Sequence, residues 1–280
     1  MSFLQIRDVS HGYTAGGLFS KRHRVDVLRG LNLELIEGQN LGLLGSSGSG
    51  KSTLARLLMG LESPDQGTVT FRSAPLTGPG KAFLQQVQMV FQDALSAFNP
   101  QRSIGWSIAE PLRHLAGMGE AACKARVEQL LLQVKLLPCD SDKIPAQLSG
   151  GQLQRAGIAR ALSVAPKLII LDEALSNLDR VLQVQILELL ADIRRESGTG
   201  FLLITHDLSL IKHFCQRVVV LAEGTLVEDR EVTPHLYFEH PAAAQLQAAV
   251  LPARPRARRA EPGPAEPRRS PTPMVGERQA

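Results

Sequence analysis

The sequence predicts an α/β fold: a parallel sheet of buried strands with an antiparallel β subdomain on its N-terminal side and an α-helical insertion in its middle. Three observations predict it. Short apolar runs recur at 40–44, 87–91, 168–171, 201–205 and 217–221, with helical stretches between the last three, as strand-helix-strand units require. Ahead of them, residues 4–9 and 27–35 alternate apolar and polar, the period of a half-exposed antiparallel strand. The interval 93–148 places apolar residues at helical spacing and holds no strand run.

Taken in order, the two alternating stretches flank GYTAGGLFSKRHR, a glycine-rich basic loop. A turn at Glu37-Gly38 leads into NLGLL at 40–44, apolar enough for a strand buried on both faces. GSSGSGKST follows at once, and LARLLMG then reads as a helix stopped at Gly60. Inside the insertion, 123–137 has helical spacing, and Glu110-Pro111-Leu112 reads as a helix start. Helices at 181–196 and 208–214 connect the last three core strands, and no internal repeat is visible.

Composition narrows the class. At 280 residues and 44 % hydrophobic, the chain can bury a full core. It has no apolar run of about 18 residues, and its start, MSFLQIRDVSHGY, lacks a basic region and an apolar one, so it neither spans a membrane nor enters a secretory route by itself. Cys123, Cys139 and Cys215 are far apart and form no CxxC pair, so they read as reduced packing residues of a cytosolic protein. The net charge of +4 resides in 251–280, where seven Arg face three Glu, and the first 250 residues balance at zero. That tail also holds seven of the 17 prolines and reads as disordered. Prolines and glutamates break up its basic residues, which favours a solvated extension over an arm for anionic lipid headgroups. A balanced body lacks the basic surface that nucleic acid demands, so no nucleic-acid partner is expected.

Residues 45–52 fit G-x-x-x-x-G-K-[ST] between a buried strand and a helix, the context that a phosphate loop requires. Gly45, Gly48 and Gly50 let the backbone turn tightly, so that N–H groups along Ser46, Ser47 and Ser49 converge on phosphate oxygens. The helix N-terminus at Lys51, Ser52 and Thr53 adds partial positive charge. Lys51 is then a point charge on the β and γ phosphates of ATP, and Ser52 offers its hydroxyl to Mg²⁺. The apolar run 168–171 ends in Asp172-Glu173. Asp172 can hold Mg²⁺ through its water shell, and Glu173 can orient and deprotonate the attacking water. In isolation the two acids would read as a helix cap; next to a phosphate loop they read as the other half of a nucleotide site.

The run Leu148-Ser149-Gly150-Gly151-Gln152, followed by LQRAGIARAL, resembles the signature sequence of ABC-family ATPases, about twenty residues ahead of the acidic strand. Physically it is a second glycine-containing helix start whose N–H groups and Ser149 hydroxyl can grip a γ-phosphate. Because one chain already has its phosphate loop, the spare grip implies a second copy facing it. The resemblance implies a P-loop NTPase, RecA-like core over 1–250, a helical subdomain at about 93–160, and further roles by position. Tyr13 is similar to the adenine-stacking aromatic, Gln92 to the glutamine that senses Mg²⁺ and the channel, Ser176-Asn177-Leu178-Asp179 to the D-loop, and His206 to the switch histidine. Read alone, Tyr13 is equally a packed strand-end tyrosine and His206 a core histidine. ALSNLD after Glu173 departs from the commoner PTSALD but leaves Ser176 and Asp179 in place.

Within that family, FQDALSAFNP, ITHDLSLIKHFCQRVVVL, DEALSNLDRVLQ and AAVLPARP are similar to importers of oligopeptides, dipeptides and nickel, and most to the nickel branch. A dipeptide or oligopeptide importer is the alternative, and a soluble ABC ATPase acting on nucleic acid or ribosomes a remote one. The resemblance implies ATP and Mg²⁺, a homologous second ATPase in a heterodimer, two transmembrane permeases, a solute-binding protein, and a place on the cytoplasmic face of the membrane. The seven histidines show no metal-ligand spacing, so cargo recognition falls to the partners.

Overall fold

Period-two patterning makes the first two strands partners. In the computed structural model, which describes residues 2–15 and 23–248, β1 (Ser2–Ala15) pairs antiparallel with β2 (His23–Ile36), with Leu4 opposite Leu35 and Ile6 opposite Leu33. The centre of the glycine-rich loop, the tail and most of AAVLPARP lie outside the described residues. A turn at Glu37-Gly38 feeds β3 (Asn40–Leu44), buried at every position, and the loop at 45–50 then opens α1 (Lys51–Leu58). β4 (Gln66–Phe71) and β5 (Ala74–Pro75) complete a four-stranded antiparallel sheet, and α2 (Lys81–Gln86) leads to β6 (Val87–Val90).

The insertion is helical: α3 (Ile104–His114), α4 (Glu120–Gln133), two short 3₁₀ turns, and α5 (Gly150–Leu162). One boundary corrects the sequence reading. The helix expected to start at Glu110-Pro111 starts at Ile104, where the Ser103 hydroxyl accepts the Trp106 N–H at 3.2 Å. Pro111 sits in its last turns, where a missing N–H disturbs little of the remaining helix.

The chain then alternates strand and helix: β7 (Leu168–Asp172), α6 (Arg180–Ser197), β8 (Gly200–Thr205), α7 (Leu208–Phe214) and β9 (Arg217–Ala222). β10 (Thr225–Glu231) and α8 (Pro241–Ala248) follow. The six-stranded sheet has the order β10-β9-β3-β8-β7-β6, parallel except for β10. It is buried on both faces. Leu41, Leu43, Ile170, Ile204 and Val219 pack toward α1 and the antiparallel sheet, whereas Leu44, Ile169, Leu171, Leu203 and Val218 pack toward α3–α7. Cys123 and Cys215 are core residues, and burial pushes the Cys215 thiol well up. Cys139 is exposed, so it is not the packing residue the sequence suggested; it falls in a 3₁₀ turn that faces solvent. Among the described residues, no helix is long and apolar enough to cross a membrane.

Candidate active site

The phosphate loop leaves the C-terminal end of β3, and two of its glycines are dictated by space. A Cβ on Gly45 would sit 2.6 Å from the Ser49 hydroxyl and 2.7 Å from the Leu221 carbonyl oxygen. Gly50 holds φ at +105°, and a Cβ there would lie 2.6 Å from Leu28. The loop is therefore pressed between β9 and β2. The Ser49 hydroxyl is buried within it without a hydrogen-bond partner.

Lys51 is 4 % exposed and folds back on the loop. Its Nζ donates to the carbonyls of Gly45 at 3.0 Å and Ser46 at 2.8 Å, and lies 3.3 Å from Glu173 Oε1. Two hydrogen bonds and one ion pair already hold Lys51, so an incoming phosphate competes directly with the Glu173 carboxylate. β7 delivers Asp172 beside α1, where Ser52 Oγ donates to Asp172 Oδ1 at 3.3 Å. Burial pushes the Asp172 carboxyl above its ordinary value, the Ser52 hydrogen bond opposes that, and the Glu173 charge adds to it. Two hard oxygen donors side by side, one of them a carboxylate short of counter-charge, fit Mg²⁺.

Glu173 occupies the left-handed region at φ 46°. Its N–H donates to the Ile204 carbonyl at 3.1 Å, and its own carbonyl accepts the Ser176 N–H at 3.1 Å and the Ser176 hydroxyl at 2.8 Å. Those bonds hold a strained residue in place, as functional positions often require. A cavity of about 350 Å³ opens here, lined by Ser47, Gly48, Lys51, Ser52, Gln92 and Glu173 among others. Gln92, just past β6, is exposed and faces this cavity, whereas His206, exposed just past β8, is not among its lining residues. Tyr13 stands beside the loop's end: its hydroxyl donates to Glu62 at 2.6 Å and lies 3.4 Å from Thr53 Oγ1.

The second grip is built separately. Ser149 caps α5 in a reciprocal capping box, its hydroxyl accepting the Gln152 N–H at 3.3 Å and its own N–H donating to Gln152 Oε1 at 2.9 Å. Nothing lies within 4 Å of where a Gly150 Cβ would be, Gly151 abuts Leu182, and Leu148 is buried beneath. Ser149, Gly151 and Gln152 line a distinct cavity of about 220 Å³ with Lys135 and Arg155. A single chain thus joins the phosphate loop, Gln92, Asp172 and Glu173, and keeps 148–152 apart from them.

Asp179 caps α6, accepting the Leu182 N–H at 3.0 Å. The sequence reading missed its neighbour Arg180, which donates to Asp207 and, at 2.7 Å, to the Ser209 hydroxyl. Burial alone would raise Asp207, but the Ser209 hydroxyl and N–H together with Arg180 hold its carboxyl below the usual range. Arg180 so ties the segment after Glu173 to the helix after His206; no spacing rule in the sequence signals a link between residues so far apart.

A glycine-cradled loop, an acidic strand end and a detached, capped LSGGQ helix define a phosphate-loop nucleotide-binding cassette. The chain belongs to the ABC transporter family, whose model matches residues 28–176. It is 59 % identical over 262 residues to the nickel import ATP-binding protein NikE of Pseudomonas putida, covering 92 % of this chain and 96 % of that protein. The corresponding protein of Rhodospirillum rubrum is 52 % identical over 258 residues (91 % and 93 % covered), and that of Escherichia coli K12 48 % over 263 residues (92 % and 98 %). Among solved structures, the dimeric post-hydrolysis state of the ATP-binding cassette MJ0796 bound to ADP and Pi superposes with a TM-score of 0.74 at 26 % identity, covering 82 % of this chain and 99 % of that one. CbiO1 of Clostridium perfringens, part of the ABC transporter complex cbiONQ, gives 0.70 at 26 % identity, with 82 % and 88 % covered.

Proposed function

We propose that this chain is the ATP-hydrolysing subunit of an ABC importer that takes up nickel through membrane permease subunits, working as a peripheral protein on the cytoplasmic face. The observation that carries it is the contact between Lys51 and Glu173 at the mouth of a glycine-cradled loop, with Ser149 in a cavity of its own. The near full-length similarity to NikE proteins supports nickel as the cargo.

In this reading Gly45, Ser46, Ser47, Gly48, Ser49 and Gly50 receive the phosphates of ATP on their N–H groups, and Lys51 turns from Glu173 to the β and γ oxygens. Losing that ion pair frees the Glu173 carboxylate to accept a proton from the attacking water. The water oxygen bonds to the γ-phosphorus, the bond to the bridging oxygen breaks, and ADP leaves. His206 and Ser149 to Gln152, the latter from a homologous partner ATPase, steady the γ-phosphate. Ser52, Asp172 and Gln92 would hold Mg²⁺, which offsets phosphate charge when bound. Tyr13 stacks on adenine. Ser176 and Asp179 carry the state of the site across the dimer.

A cleft of about 340 Å³ between α3 and the core, with Leu61, Phe91, Pro111 and His114 on its walls, supports permease docking beside Gln92. Uptake of labelled nickel and of a labelled dipeptide in cells lacking this subunit tests the assignment. Loss of nickel uptake with dipeptide uptake intact is the expected result; the reverse moves the cargo to peptides.

A further inference from the structure

The segments that leave β7 and β8 start side by side. Asp172 pairs with Ile204 across the two strands, and the Glu173 N–H donates to the Ile204 carbonyl at 3.1 Å. From there they diverge: one runs through Ser176 to Asp179, where α6 begins, and the other passes His206 into α7. The His206 ring is exposed, so the backbone that carries it sets where it stands. That backbone is gripped beside the ring. Thr205 Oγ1 accepts the Asp207 N–H at 3.0 Å, and the Asp207 carboxylate accepts the Ser209 N–H at 2.8 Å and the Ser209 hydroxyl.

Arg180 joins the two segments again at their far ends. Its Nη1 donates to Asp207 Oδ2 and its Nη2 to Ser209 Oγ at 2.7 Å, so one guanidinium spans both members of the grip. Nη1 also donates to Gln183 Oε1 at 3.3 Å. Gln183 is buried, and its Nε2 donates to the Leu175 carbonyl at 3.0 Å, inside the segment that follows Glu173. Residues 173–180 are thus fixed to Ile204 at one end and to Asp207 at the other. A planar guanidinium with donors in a rigid fork suits two acceptors at once, whereas a lysine ammonium is a point charge on a flexible stem.

Stability does not explain this arrangement. The Arg180 side chain is 63 % exposed, and an ion pair so open to water adds little to a fold. Asp207 keeps its bonds to Ser209 without Arg180, so α7 keeps its cap. What Arg180 adds is a rigid link between two segments: a shift of Asp179 and Arg180 carries Asp207 along, and His206 with it.

We infer that Arg180 is a yoke between the D-loop and His206, so that engagement of Ser176 and Asp179 by the partner ATPase sets how His206 meets the γ-phosphate. Arg180 is a positioning residue acting through His206, and its role rests on the proposed contact of His206 with that phosphate.

Single-turnover hydrolysis by the assembled transporter, with the partner ATPase's own loop disabled, tests the yoke. In R180A the rate is expected to fall about tenfold while ATP affinity and melting temperature stay near the parent's, since a small displacement of a reacting group lowers rate far more than binding. R180K is expected to recover part of the loss. Added to H206A, R180A is expected to lower the rate no further, as for residues that act as one unit. A parental rate in R180A, or the same tenfold loss in the H206A background, overturns the yoke. So does a loss of ATP affinity or melting temperature in step with rate, which assigns Arg180 to the fold. H206A alone checks the reading beneath: a parental rate there removes His206 from hydrolysis and the yoke with it, whereas a slow H206A beside a parental R180A sinks only the yoke.

Discussion

Glu173 combines chemistry with strain, and the two can be separated. Glu173→Gln keeps the backbone bonds to Ile204 and Ser176, so the variant is expected to fold and bind ATP while hydrolysis falls about a hundredfold or more. Near-normal turnover in the purified complex would contradict its role as the base. Asp172 gives a pH signature. Burial raises its carboxyl, so the folded chain holds that proton more tightly than the unfolded chain. The stability this carboxyl contributes is full in acid, below its ordinary value, and is lost as pH rises through the raised one. At neutral pH Asp172→Asn, which still accepts from Ser52, is therefore expected to melt higher than the parent without nucleotide, the gain shrinking in acid; an equal or lower melting temperature at neutral pH would count against it. Lys51, Ser52 and Asp172 were legible because residue type, spacing and the preceding apolar run specify their chemistry. The positive φ of Glu173 and the fold-back of Lys51 were not, since both depend on carbonyls and a carboxylate brought close only by the fold. The link from Arg180 to Asp207 and Ser209 was hidden for the same reason.

Helix starts carry much of the site, and their caps have two jobs. Ser149 both closes the capping box of α5 and is the proposed γ-phosphate ligand. Ser149→Asp keeps a good cap, so its melting temperature is expected to stay near the parent's while hydrolysis in the assembled transporter collapses, because a carboxylate then faces the phosphate. If hydrolysis survived, Ser149 would be a cap and no more. Asp179→Ala is expected to cost about 1 kcal/mol of stability, read by denaturant unfolding, through loss of the α6 cap. The elements themselves were unevenly legible. β3, β7, β8 and β9 lie in the interior of the sheet and β6 at its edge, and all five are apolar almost throughout, so composition marks them. β4, β5 and β10 escaped. They lie at or next to sheet edges with sequences such as QGTVTF and TLVEDRE, whose polar side chains face outward and mimic loops. In β10 a buried Glu228 breaks the apolar pattern, because burial is offset by N–H groups of His240 and Glu239 and by Arg230. The start of α3 was misplaced because Pro111 is a stronger sequence signal than the Ser103 cap.

At the scale of the molecule, one polypeptide carries a cradle and a clasp that do not meet. The phosphate loop, Gln92 and Glu173 share one cavity, with Asp172 bonded to Ser52 at its wall, whereas Ser149, Gly151 and Gln152 line another. A related cassette at 26 % identity, MJ0796, is dimeric with ADP and Pi bound. In the proposed mechanism ATP closes two ATPase subunits against each other, the γ-phosphate charge being shared between one subunit's loop and the other's signature helix, and hydrolysis releases them. The most direct measurement is the structure of the assembled transporter carrying Glu173→Gln with ATP and Mg²⁺ bound. Ser149 Oγ is expected within hydrogen-bond distance of a γ-phosphate held on the partner's loop; residues 148–152 turned away from every triphosphate in the assembly would contradict the shared site.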